Sequence, residues 1–126
     1  MDPDASPVVM LVEEEAAERE AVADLLRQSG FAVVTAPTTD AALSALAADP
    51  GIRGLVVDAH EPGPFDGHEL AHRVRASLPH VAVVVTSGHS DDPSWSVPDG
   101  AAFLLKPDLV TGLATTLSRL MAGEAP

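Results

Sequence analysis

Asp58 closes an apolar run, Ile52–Asp58, and a loop rich in Pro and Gly follows before a helical pattern starts. A carboxylate at the end of a buried strand is costly unless its charge is used. Three other apolar runs end on groups that could share a site with it. Val8–Val12 leads into Glu13, Glu14 and Glu15, Val81–Val85 ends at Thr86 and Ser87, and Ala101–Leu105 runs into Lys106. Brought to one edge, Glu13, Glu14, Asp58, Thr86 and Lys106 would join three carboxylates, a hydroxyl and an ammonium. Like charges about 4 Å apart repel by roughly 4 kcal/mol at an effective dielectric near 20. Such a cluster needs a cation or a raised pKa. Hard oxygen ligands select Mg²⁺ or the similar Mn²⁺, which keeps several waters and binds together with phosphate. Lys106 and Thr86 supply the point charge and hydroxyl donor that a phosphoryl group needs. Asp58 is then a candidate nucleophile.

The elements that must position these residues can be read from periodicity. Val8–Val12 is a β-branched run that fits a strand buried on both faces. Ala16 to Ser29 turns helical, with Ala17, Ala21, Val22, Leu25 and Leu26 as its apolar stripe and Gly30 as its stop. Phe31–Ala36 reads as a short strand. Thr38, Thr39 and Asp40 offer caps for a helix from about Ala41 to Ala48, which Pro50 and Gly51 end. Asp66 and Glu69 form a capping-box pattern for a helix from about Gly67 to Leu78, burying Leu70, Ala71, Val74 and Leu78.

The pattern weakens over Ser87–Gly100, which holds Pro93 and Pro98 and predicts a loop or a short, broken fourth helix. After the fifth strand, Asp108 is expected to cap a last helix with Val110, Leu113, Leu117 and Leu120 on one face. Strands alternating with helices predict an α/β fold: a doubly wound, five-stranded parallel sheet of (βα)5 type. In such sheets ligands sit beyond the C-terminal strand ends, at a switch in strand order.

A chain of 126 residues with 46% hydrophobic content suits a single domain, 1–126, with its core over about 8–122. Cysteine is absent, which excludes disulfides and thiolate metal sites. No run reaches the length of a membrane span, and the acidic start MDPDASP is no signal peptide. A cytoplasmic protein without membrane contact is expected. The net charge of −12 repels phosphate backbones and argues against nucleic-acid binding.

Taken together, the motifs resemble the receiver domain of two-component response regulators. VMLVEEEA is similar to that family's first strand and acidic pair, and VVDAHEPGPFDG to its phosphoacceptor strand and loop. AAFLLKP is similar to the segment with the switch aromatic and Lys-Pro, and LAHRVRASLPHVAVVVTSGH to stand-alone alphaproteobacterial receivers. The resemblance implies a flavodoxin-like fold in which Asp58 accepts a phosphoryl group from a histidine kinase or histidine phosphotransfer protein. It implies Mg²⁺ or Mn²⁺ bound by Glu14, Asp58 and the backbone carbonyl of His60, with Glu13 helping through water. Thr86 and Lys106 would hold the phosphoryl oxygens, Phe103 would be the rotating switch aromatic beside Thr86, and the Lys106–Pro107 bond would be cis. Only Gly123–Pro126 follow the last expected helix, so output through a downstream protein target is expected, from a monomer or weak homodimer.

Two departures and two rival readings stand beside this. Glu14 replaces the family's usual Asp, and its extra methylene pushes the carboxylate outward at a metal that demands near-ideal geometry. That favours, as an alternative, a pseudo-receiver that binds partners without the chemistry. Asp108 follows the Lys-Pro where an aromatic is common. Separately, HELAH, His68 to His72, matches the short zinc-hydrolase motif with Glu69 as base. Arg75 and Leu78 stand where the extended motif needs Gly and a third His, so the other reading is an exposed helix face. Trp95, in the Pro-rich stretch, is a candidate to cover the sheet edge or to anchor a partner.

Overall fold

The computed structural model describes residues 6–88 and 97–126. Along β1 (Val8–Val12) successive side chains enter opposite layers: Val9 and Leu11 face one way, Met10 and Val12 the other. The same two-residue period divides Val56 from Leu55 and Val57 in β3 (Ile52–Asp58), and Ala82 and Val84 from Val83 and Val85 in β4 (Ala82–Ser87). These three strands are therefore covered on both faces. The helices α1 (Ala16–Gln28) and α4 (Leu109–Met121) close one layer through Ala23, Leu26, Leu113 and Leu117. The other layer is closed by α2 (Thr39–Ala48) and α3 (Gly67–Ser77) through Ala42, Leu46, Leu70 and Val74.

With β2 (Ala32–Thr35) and β5 (Ala102–Leu105) at its edges, the sheet is parallel throughout in the order β2-β1-β3-β4-β5. The chain leaves β1 toward one side and returns on the other, which opens a crevice above the C-terminal ends of β1 and β3. The five-stranded parallel expectation holds. Of the stretch expected as a loop or short, broken fourth helix, Ser87–Gly100, residues 89–96, with Trp95, lie outside the described residues; Ser87 closes β4, residues 97–100 form a bend and turn, and four α-helices stand among the described residues.

Several local expectations are corrected. The α1 stripe is turned: Ala17 and Ala21 are exposed, whereas Ala23 and Leu26 are buried. Alanine marks a helical face poorly, because it carries little apolar surface. In α4 the buried side is Leu109, Leu113 and Leu117, and Val110 is 79% exposed. Asp108 stands at the N-cap of α4, yet its side chain makes no capping hydrogen bond. A 3-10 turn over Lys106–Asp108 precedes α4 and already orders its entry, with Pro107 in the first turn where a missing N–H costs nothing. The Lys106–Pro107 bond is trans. Only half of the Asp66 capping box forms: Asp66 Oδ1 accepts from the Glu69 N–H at 2.9 Å, but the Glu69 carboxylate pairs with Arg73 at 3.1 Å. Gly30 does end α1, at a φ of 95° that favours glycine.

Candidate functional site

In register, Asp58 at the end of β3 pairs with Thr86 of β4, and Thr86 with Leu104 of β5. Lys106 follows two residues later. Its ammonium stands 2.6 Å from Asp58 Oδ2, 2.5 Å from Glu18 Oε2 and 3.8 Å from Glu13 Oε2. The second Asp58 oxygen, Oδ1, accepts the backbone N–H of His60 at 2.8 Å. One carboxylate oxygen is thus turned back into the loop while the other faces Lys106. Thr86 is 4% exposed and lines the same cavity as Asp58 and Lys106. Its hydroxyl reaches the Val57 carbonyl at only 3.5 Å, too long to hold it strongly.

Local structure explains how the acids arrive. Glu15 is the N-cap of α1, its carboxylate accepting from the N–H groups of Ala17 and Glu18, which hold its pKa below the ordinary value. Of the three consecutive acids, this one is a helix cap. The Arg19 guanidinium donates to the carbonyls of Glu13 (3.2 Å) and Glu14 (3.4 Å), which pins the loop between β1 and α1. Glu18 sits in the first turn of α1. Helical side chains lean toward the N-terminus, here the end lying over the strand termini, so Glu18 reaches Lys106 across 88 residues of sequence. Periodicity and strand-end position point to neither Glu18 nor Arg19; an acid in the first turn, facing back over the strand ends, is the available signal.

Electrostatically, the pocket is crowded. Burial pushes the Glu13 carboxyl up to about 7; the Glu15 N–H and Lys106 oppose this, and the charges of Asp58 and Glu18 add to it. Glu61, 3% exposed, is also raised, first by burial, against a hydrogen bond from the backbone N–H of Glu14, and then by the charges of Asp58 and Glu14. For Lys106 burial opposes the charged form, but the bonds to Asp58 and Glu18 outweigh it and hold the pKa above its ordinary value. The consequence for stability has a definite sign. Between about pH 4.5 and 7 the unfolded chain has lost the Glu13 proton and the folded chain keeps it. Unfolding free energy therefore falls as pH rises through that window. We expect the thermal midpoint of the cation-free protein to be higher near pH 5 than near pH 8, by melting in chelator. Stability rising across this window would contradict the assignment.

The other expected site residues take varied positions. Glu14 is exposed, and its carboxylate lies outside the group of oxygens contributed by Glu13, Glu18 and Asp58, which all stand within 4.8 Å of one another. The Glu14 side chain borders an open acidic cavity whose lining also takes in Glu13, Glu18, Asp58, Glu61, His60 and Lys106. Phe103 is partly buried against the layer of α2 and α3, beside Val85 in register. In HELAH, Glu69 is exposed and tied to Arg73, and the His60 and His68 rings meet edge-on at 6.5 Å. Among the described residues no metal-ligand group includes His68 or His72.

A family model described as "Response regulator receiver domain" matches residues 9–107, from β1 through Pro107. The chain belongs to the response regulator receiver domain family. The match covers the five strands apart from Val8, and includes Glu13, Glu14, Glu18, Asp58 and Lys106. The response regulator protein FleR of Pseudomonas aeruginosa is 32% identical over 121 residues, covering 94% of this chain and 25% of that protein. The chain thus spans about a quarter of the length of this relative. A response regulator receiver protein from Sinorhizobium medicae WSM419 superposes with a TM-score of 0.82 at 28% identity, covering 93% of this chain and 95% of that one. The receiver domain of the hybrid histidine kinase CckA has a TM-score of 0.71 at 30% identity, over 90% and 98% of the chains.

The fold is accordingly the flavodoxin-like receiver fold, and the function is that of a two-component receiver. Receiver domains work with histidine kinases or phosphotransfer proteins and with downstream targets, and generally bind Mg²⁺ at an acidic pocket. This receiver has such a cluster of acids. Among the described residues no helix is long and apolar enough to cross a membrane.

Proposed function

We propose that Asp58 is the phosphoacceptor of this receiver and that the chain signals by protein contact once Asp58 is modified. The observation that carries the reading is the Lys106 ammonium, 2.6 Å from the Asp58 oxygen that the loop leaves turned toward it. Asp58 Oδ2 attacks the phosphorus of a phosphohistidine; the N–P bond breaks, an acyl phosphate forms, and water later cleaves it to release phosphate. Lys106 then moves its hydrogen bond from the carboxylate to a phosphoryl oxygen, and the Thr86 hydroxyl, held only loosely, turns to a second one. Asp58 Oδ1 stays oriented by the His60 N–H.

Glu13 and Asp58, with Glu14 at the rim and the His60 carbonyl, are the residues we assign to hold Mg²⁺ or Mn²⁺. Their all-oxygen donor set fits a hard cation, and the clustered carboxylates give it a reason to bind. When bound, the ion supplies positive charge against the phosphoryl oxygens. Thr86 joins β4 to this centre, and Phe103 stands one strand away, so we assign these two to the switch.

An apolar cleft of about 240 Å³ between α1 and α4, lined by Ala21, Val22, Leu25, Leu109 and Val110, opens beside Asp58. It offers the phosphodonor protein a surface next to the nucleophile. Strong negative charge favours a protein partner over nucleic acid, and we assign a cytoplasmic, monomeric or weakly dimeric state.

The test is intact mass after incubation with a small-molecule phosphodonor and Mg²⁺. One added phosphoryl group, abolished by chelator, is expected. A folded protein that takes up no phosphoryl group under any divalent cation, from a donor or from a kinase, would overturn the chemistry and leave a pseudo-receiver.

A further inference from the structure

Glu18 lies outside the residues that the receiver resemblance names, yet it makes the shortest contact in the site, 2.5 Å to Lys106. Its carboxylate is one of the three whose oxygens lie within 4.8 Å of each other, together with Glu13 and Asp58. The carboxylate of Glu14, expected to be a direct ligand, is not among them. A positive group already sits against this set: the Lys106 ammonium contacts Asp58 and Glu18 and stands 3.8 Å from Glu13. The three carboxylates therefore share a position that attracts a cation, and Lys106 fills it. An ammonium has three donors, whereas a divalent ion carries twice the charge and gathers oxygens more tightly.

We infer that Glu18 is a further carboxylate of the cation site, supplied by the first turn of α1, and that a divalent ion and Lys106 compete for it. This rests on the receiver reading above. With the ion bound to Glu13, Glu18 and Asp58, the ammonium is released from two carboxylates and is free to meet a phosphoryl group. Without the ion, Glu18 and Asp58 hold Lys106 between them. Glu18 thereby couples cation binding to the position of Lys106. Glu14 is exposed and lines the same open cavity as Glu18, with its carboxylate outside the group of three.

The experiment measures Mg²⁺ affinity by calorimetry and Mn²⁺ affinity by electron paramagnetic resonance. It compares the wild-type chain with Glu18→Gln, Glu20→Gln and Asp58→Asn. Glu20 lies on the same helix and is exposed, so it controls for general loss of negative charge. Glu18→Gln should weaken both ions about tenfold, the scale for losing a group that holds a metal. Glu20→Gln should change them less than about twofold, as a screened surface charge does. Phosphorylation of Glu18→Gln should slow at limiting Mg²⁺ and recover at saturating Mg²⁺.

An equal effect of the two Gln variants, or tighter binding in Glu18→Gln, would overturn the inference. The second result would mean that Glu18 serves only as the counter-ion of Lys106. Binding lost in Asp58→Asn but kept in Glu18→Gln would reject the role of Glu18 and leave the receiver reading standing. A wild-type chain with neither saturable cation binding nor phosphorylation would remove that reading as well.

Discussion

Asp58→Asn should end phosphoryl uptake from a small-molecule donor, with a fall of about a thousandfold or more, the order expected when a nucleophile is removed. The amide keeps the shape of the side chain but lacks the anionic oxygen that attacks phosphorus. The fold should survive. Lys106 loses the negative charge of its 2.6 Å partner but keeps Glu18 at 2.5 Å and Glu13 at 3.8 Å. At the same time one negative charge leaves a cluster in which Asp58 raises the pKa of both Glu13 and Glu61. These effects oppose each other, so the thermal midpoint should stay within about 4 °C of wild type, equivalent to roughly 1 kcal/mol for a domain of this size. Intact mass and melting on one sample separate the two effects. An Asn variant that melts normally and still gains a phosphoryl group would place the acceptor on another carboxylate of the pocket.

The largest loss of stability is expected from Gly67→Ala. Gly67 opens α3, and a Cβ there would strike the carbonyl oxygen and carbon of Asp58 and crowd the Cα of Ala59. All three are backbone atoms, which cannot swing aside as a side chain can. Relief requires α3 to retreat from the sheet or the Asp58–Ala59 peptide to shift. We expect a cost of about 3 kcal/mol, the upper part of the range for overpacking, or roughly 10 °C in thermal midpoint. Because the displaced peptide carries the nucleophile, phosphorylation should slow even where the variant remains folded. Gly112→Ala is the internal contrast. A Cβ at that position meets only Leu104 methyls at 3.7 and 4.0 Å, ordinary contact distances. Replacing a helix-interior glycine should raise stability by about 0.5–1 kcal/mol. Equal melting of the two variants would show that the close approach of α3 to Asp58 is unimportant.

Much of the fold was legible because its signals are local. Ile52–Asp58 is found with its expected bounds, and α3 differs from expectation by one residue at its end. Runs of Val and Leu closed by a charged or hydroxyl side chain mark the strands, and the closing residues Asp58, Thr86 and Lys106 line one pocket. The errors fall where the local signal was ambiguous. Apolar spacing draws the stripe of α1 through Ala17 and Ala21, which are exposed, and that of α4 through Val110 instead of Leu109. Thr39 read as one of three possible caps. Thr38 takes that role, and Thr39 is buried, its hydroxyl donating to the Phe65 carbonyl at 2.6 Å. That bond joins α2 to the loop after Asp58, and local periodicity carries no trace of such a pairing.

By itself, then, the sequence determined the alternation of strands and helices, the two-sided burial of the central strands and the chemical type of their ends. Each follows from periods of two or 3.6 residues and from where an apolar run stops. The tertiary structure alone decided which acids crowd Lys106. Glu18 joins Lys106 because α1 and β5 are brought to one edge by crossovers, while Glu14, beside Glu13 in the chain, is left outside the cluster. It also decided that Gly67 has to be glycine, since only packing α3 against the end of β3 brings a backbone carbonyl into the space a side chain would need. Periodicity describes how one segment is sided; contact between segments depends on the sheet order and on the direction in which each helix end points.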